Sequence, residues 1–328
     1  MTRLVELVKR RRVAAALQLG GLAVLLGFLG YATRDVWDDA APRLRDASML
    51  DLGIALGILA VYYLMFVEGW RRILMSYSIH VPYRIALQAE MLSMLAKYVP
   101  GGVWTPAARI VAMRRAGVKD TGTVLASVLL EAGLSAVAGV LVFLAALPTV
   151  ADAEAPLIPL VGFGLLVVVL LHPAVFRRLA RIVLRPFGSP DVPPLRYRTM
   201  LALLAYYSVS WVVGGAAVYF LLRSVHADTE ATAIPYLGGV SAVGAIVAVL
   251  SIIAPSGLGV REASMYGLML AVAAEGAALG ATVLNRIAIT VVEAALLLAG
   301  VLAWRMRVNA RELDDVRAES DALRQPVS

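Results

Sequence analysis

Cysteine is absent from this chain, so disulfide bridges and thiolate metal sites are excluded outright. Charge is scarce: 16% of the 328 residues are Asp, Glu, Lys or Arg, while 60% are hydrophobic and mean hydropathy is +0.80. That balance leaves too little polar surface to cover the core of a soluble domain. Lysine occurs only at positions 9, 97 and 119, so the basic charge is almost entirely arginine. With the high Ala, Val and Gly content, this is a compositional hint of a GC-rich bacterial genome. The three histidines, His80, His172 and His226, share no ligand spacing, so neither a metal site nor a cofactor is expected.

What is present is a series of long apolar blocks, at roughly 13–31, 51–67, 122–147, 157–172, 200–222, 234–254 and 279–304. About 20 such residues span a bilayer as a helix, and the blocks lack the strict alternation a barrel strand needs. The net charge of +7 sits between these blocks, where membrane topology places it, so nucleic acid is not an expected partner. The first block follows Lys9, Arg10, Arg11 and Arg12 but is too long for a signal-peptide core, and reads as a retained helix.

Loop charge orients the chain. The N-terminal arginines and Trp70-Arg71-Arg72 favour the cytoplasm, while Asp35, Asp38, Asp39 and Asp46 suit the outside. Residues 80–113 are broken by Pro100-Gly101-Gly102 and flanked on both sides by basic charge, which predicts a re-entrant hairpin entered from the cytoplasm. Asp152 and Glu154 mark an outer loop, and Arg177 to Arg198 a cytoplasmic one. Residues 234–276, broken at Pro255-Ser256-Gly257-Leu258-Gly259, predict a second hairpin, entered from outside. The expected fold is therefore an all-α polytopic membrane protein with six full spans, two re-entrant hairpins and both termini cytoplasmic. Residues 1–308 form one transmembrane domain, and 309–328 a polar cytoplasmic tail.

An offset of 155 residues brings Pro100-Gly101-Gly102 onto Pro255-Ser256-Gly257, Leu125–Leu129 onto Gly280–Leu284, and Glu131 onto Arg286. With opposite starting sides, the halves at about 13–147 and 157–304 read as an inverted-topology repeat, an arrangement that places substrate sites at the repeat interface.

Candidate site residues follow from cost. Pro100, Gly102, Pro255, Gly257 and Gly259 break helices and leave half-helix ends whose free N–H groups suit phosphate or carboxylate; the alternative is a kink between packed helices. Glu131 falls about 14 Å into its span and Arg286 about 10 Å into its own, at about 1.5 Å per residue. Charges at such depth pair or face a polar cavity. Either the two form an ion pair across the pseudo-two-fold axis, or they line or gate a headgroup pathway. Arg261 and Glu262 follow the second break directly. Lys97 and Arg109 flank the first, and either snorkel to the surface or hold an anionic headgroup. Glu293 reads as a further cavity residue or as the satisfied partner of a neighbouring Ser or Thr. Trp104, Trp211 and Trp304, with Tyr206 and Tyr207, read as interface anchors, and Ser135 with Gly139 as a close-packing pair.

Pro255-Ser256-Gly257-Leu258-Gly259-Val260-Arg261-Glu262 resembles the Pro-x-Gly-x-Gly-x-Arg-Glu signature of the lysylphosphatidylglycerol synthase transmembrane-region family. Tyr98-Val99-Pro100-Gly101-Gly102 with Arg109 is similar to that family's first motif, and Glu131 and Arg286 match its charged positions. The resemblance covers roughly 13–304. It departs at Pro106-Ala107-Ala108, where many members carry an acidic residue shortly before the arginine. It implies a flippase-like domain that moves an anionic or aminoacylated phospholipid, or a polyprenyl-phosphate-linked sugar, between the leaflets of a bacterial cytoplasmic membrane. The alternative is a non-transporting scaffold for a glycosyltransferase or lipid-modifying enzyme. No P-loop is present for direct use of ATP, no nucleophile–base pair suggests an enzyme, and self-association is left open.

Overall fold

The computed structural model describes residues 36–96, 104–150, 195–251 and 257–305, together with Val169, Val175 and Arg178 singly. Within these residues the chain is helical, without a strand. After a short helical segment over 36–45 come α1 (Met49–Ser76), α2 (Tyr83–Ala96), α3 (Trp104–Arg115) and α4 (Thr121–Ala146). They are followed by α5 (Tyr197–Ser224), α6 (Ile234–Leu250), α7 (Val260–Met269) and α8 (Glu275–Arg305).

Five stretches are long and apolar enough to cross a membrane: Met49–Ser76, Thr121–Thr149, Tyr197–Ser224, Ala231–Leu250 and Glu275–Ala299. Four coincide with expected spans; the expected spans over 13–31 and 157–172 and the 309–328 tail lie outside the described residues. The fifth is the first limb of the expected second hairpin. Its 20 residues reach about 30 Å, the thickness of the hydrocarbon core, where the 14 and 12 residues of α2 and α3 reach only about 20 Å.

Local sequence sets the helix starts. Ser48 accepts a hydrogen bond from the Asp51 N–H at 3.3 Å, and Asp120 from the Thr123 N–H at 3.0 Å, each capping the helix that follows. The start of α7 is built differently. Gly257 and Gly259 have φ of +68° and +82°, a region open to glycine, and the Gly259 N–H donates to Glu262 Oε2 at 2.7 Å. The Gly-x-Gly-x-x-Glu portion of the second motif is thus a turn and a helix cap in one.

The second broken region is an antiparallel helix pair, and the first is two helices packed together. In the first, Arg109 of α3 lies against Ser93 and Glu90 of α2. In the second, Tyr236 donates to the Leu268 carbonyl at one end, Gly244 packs on Met265 and Arg261, and Gly257 lies against Ala248 at the other. The long helices α1 and α5 also run antiparallel, from Ser48 N–H on the Ser224 carbonyl at one end to Arg72 over the Tyr206 ring at the other. Glycines let the backbones approach: a Cβ on Gly238 of α6 would fall 2.4 Å from the Trp211 carbonyl oxygen, and one on Gly139 of α4 only 2.3 Å from the Ala242 Cβ. The expected close packing at Gly139 is therefore present. Trp211, by contrast, is no interface anchor. It is 4% exposed, donates from Nε1 to the Ser135 carbonyl at 2.8 Å, and sits in the core because α5 packs against α1, α4 and α6.

Candidate functional site: a buried charge cluster beside a cavity

α2, α3 and α4 each deliver one charged side chain to a common point. The Arg109 guanidinium forms ion pairs with Glu90 through one nitrogen and with Glu131 through the other. Its Nε donates to Ser93 Oγ at 3.4 Å, and its plane lies over the Trp70 ring with Cζ 4.6 Å from the centroid. Trp70 is held in turn by Ser127, whose Oγ accepts from the indole Nε1 at 3.0 Å. All three charged residues are buried, so removing Arg109 leaves two uncompensated carboxylates, the costly way to break such a network.

Two sequence expectations are corrected here. Glu131 does not pair with Arg286: it meets Arg109, while Arg286 meets Glu262 at 3.4 Å. The 155-residue offset relates the two positions in sequence, but each side chain reaches the helix packed beside it. Arg109 does not snorkel: at 5% exposure it is enclosed by its own carboxylates.

Glu90 escaped the sequence reading, although it is the one carboxylate between Glu68 and Asp120 and stands alone in an apolar stretch. It pairs with Arg109 from the neighbouring helix α2.

Beside the cluster lies a cavity of about 110 Å³, walled by α1, α2, α5, α6, α7 and α8. Two charged side chains face it, Glu90 from α2 and Arg261 from α7. Arg261 makes no ion pair or hydrogen bond among the described residues, and its buried Nε has no partner there. Ser241 and Asn285, both buried, add polar groups; the Asn285 amide has only the Met265 sulfur at 3.5 Å as its acceptor. Neither was singled out in the sequence, since a lone Ser or Asn in an apolar helix carries no distinctive signal. Tyr63 also lines the cavity and donates to Glu293 at 2.7 Å, so Glu293 is tied to a phenol from α1.

Of the expected residues, Arg109 and Glu131 meet in the cluster, Arg261 faces the cavity, and Glu262 and Arg286 join α7 to α8. Gly257 and Gly259 form the turn before α7. Lys97, Pro100, Gly102 and Pro255 lie outside the described residues.

The family described as the lysylphosphatidylglycerol synthase TM region matches residues 17–304 of the chain. Among curated proteins, no match is found.

Proposed function

From the premise that the chain belongs to the lysylphosphatidylglycerol synthase transmembrane-region family, we propose that it is a flippase-like transporter of phosphate-bearing lipids, not an enzyme. The observation that carries this reading is the cavity, in which Arg261 faces Glu90 without an ion-pair partner among the described residues. A guanidinium is a strong phosphate ligand, and an unpaired one in an apolar surround is costly unless it has a ligand to bind. The lipid phosphate meets Arg261, helped by Asn285 and Ser241, while an amino group on the headgroup meets Glu90. Acyl chains stay in the bilayer as the headgroup passes.

We read the two halves as an inverted repeat with two re-entrant hairpins, in a bacterial cytoplasmic membrane with both termini inside. Element bounds support the repeat: shifted by 155 residues, α3 falls on 259–270 beside α7, and α4 falls on 276–301 within α8. The antiparallel course of α1 and α5, which open the described parts of the two halves, supports the inversion.

The test is leaflet exchange of labelled anionic, zwitterionic and aminoacylated lipids, and of polyprenyl-phosphate sugars, by the purified protein in liposomes. Wild type is expected to accelerate exchange, and Arg261→Ala to lose about tenfold or more, the scale of one charge-assisted hydrogen bond. Exchange at wild-type rate in Arg261→Ala would remove the cavity from the mechanism. A folded protein that exchanges none of the panel, yet purifies with a stoichiometric enzyme partner, would instead be a scaffold.

A further inference from the structure

Glu90 and Glu131 share one guanidinium, that of Arg109. Both carboxylates are buried, and Oε1 of Glu131 has no hydrogen-bond partner among the described residues. The packed helices bring few other titratable groups. α1 offers the phenols Tyr62 and Tyr63 at the cavity, and α5 offers Tyr207, packed on Gly69. From α8 comes Glu293, already bonded to Tyr63, and from α7 comes Arg261. Glu262 and Arg286 are matched to each other. Among the described residues, then, the cation that shares the cavity with Glu90 is Arg261.

Glu90 and Glu131 are matched charge for charge by Arg109 and Arg261, with Glu293 held separately on Tyr63. A phosphodiester brought to Arg261 leaves one negative charge uncompensated in a poorly solvated site. Such a charge is costly, and a carboxylate in that position takes up a proton instead. A headgroup with its own ammonium brings the compensating charge with it.

We propose that the Glu90–Arg109–Glu131 cluster is a proton-binding site that travels with the substrate's charge. A lipid whose headgroup carries phosphate alone enters the cavity with one proton, held by the carboxylate pair. A zwitterionic lipid enters without one. The proton comes from the aqueous phase that the headgroup leaves and is released to the phase it enters, so an anionic lipid crosses as a neutral pair and responds to a pH gradient. This rests on the reading of the cavity as a headgroup site.

Calorimetric titration of the full chain in detergent, in two buffers of different ionisation enthalpy, counts the protons. The probes are short-chain phosphatidylglycerol and short-chain phosphatidylethanolamine. About one proton is expected to be taken up per phosphatidylglycerol bound, and close to none per phosphatidylethanolamine. In Glu90→Gln the phosphate alone completes the charge balance, so phosphatidylglycerol binds without proton uptake; Glu131→Gln answers the same question if the first variant does not fold. Phosphatidylglycerol binding without proton uptake in the wild type, or equal uptake with both lipids, overturns the proposal and leaves the headgroup site standing. Binding of neither lipid overturns both.

Discussion

Arg109 and Arg261 are the same residue type in two opposite circumstances. Arg109 is held by two carboxylates and a tryptophan face, with its guanidinium fork satisfied from three helices. Arg261 faces a cavity with no ion-pair partner among the described residues. Truncating them should therefore fail differently. Arg109→Ala leaves two buried carboxylates without their shared cation, and is expected to cost about 3–5 kcal/mol, read as a large drop in thermal stability in detergent. Arg261→Ala removes a charge that makes no ion pair or hydrogen bond among the described residues, and should cost far less stability than Arg109→Ala while exchange is lost. A second test separates the pairings. Exchanging the charges of Glu262 and Arg286 in one double variant should recover part of the stability lost by either single change, whereas the same exchange at Glu131 and Arg286 should recover none, because those two side chains have different partners.

At the level of elements, backbone proximity does what side-chain volume does in soluble cores. Gly238→Ala would drive a methyl group into the Trp211 carbonyl at 2.4 Å, with rigid backbone on both sides, so about 1–3 kcal/mol of destabilisation is expected in a thermal-shift assay. The elements were largely legible in the sequence, since a run of 20 apolar residues declares a helix without tertiary information, and α1, α4, α5 and α8 fall where such runs lie. The site was only half legible. Arg109, Glu131 and Arg261 stood out as charges in apolar surroundings, but their partners depend on how helices pack. Glu90 reaches Arg109 only because α2 and α3 pack against each other. Trp211 was misplaced for the same reason: periodicity shows that a residue lies on an apolar helix, not whether lipid or another helix covers it.

On the scale of the whole molecule, the inverted arrangement predicts that the ends of the two hairpin regions open to opposite sides of the membrane. The chain has no native cysteine, so single cysteines report without background. Lys119→Cys, at the exposed turn after α3, should react with an impermeant maleimide only after the cells are opened, and Asp228→Cys, in the exposed turn after α5, should react in intact cells. Labelling of both from the same side would remove the inversion. The enclosure of Arg109 by its own glutamates has a consequence for how such a duplicated fold ages. Once one copy of the motif is locked into holding the bundle together, the other is released to follow whatever cargo its surroundings present. A saturation mutagenesis map scored for abundance should show intolerance at Glu90, Arg109 and Glu131, and one scored for activity should add Arg261. In lineage terms, the repeat proposed above would then have a fixed first copy and a second copy free to specialise.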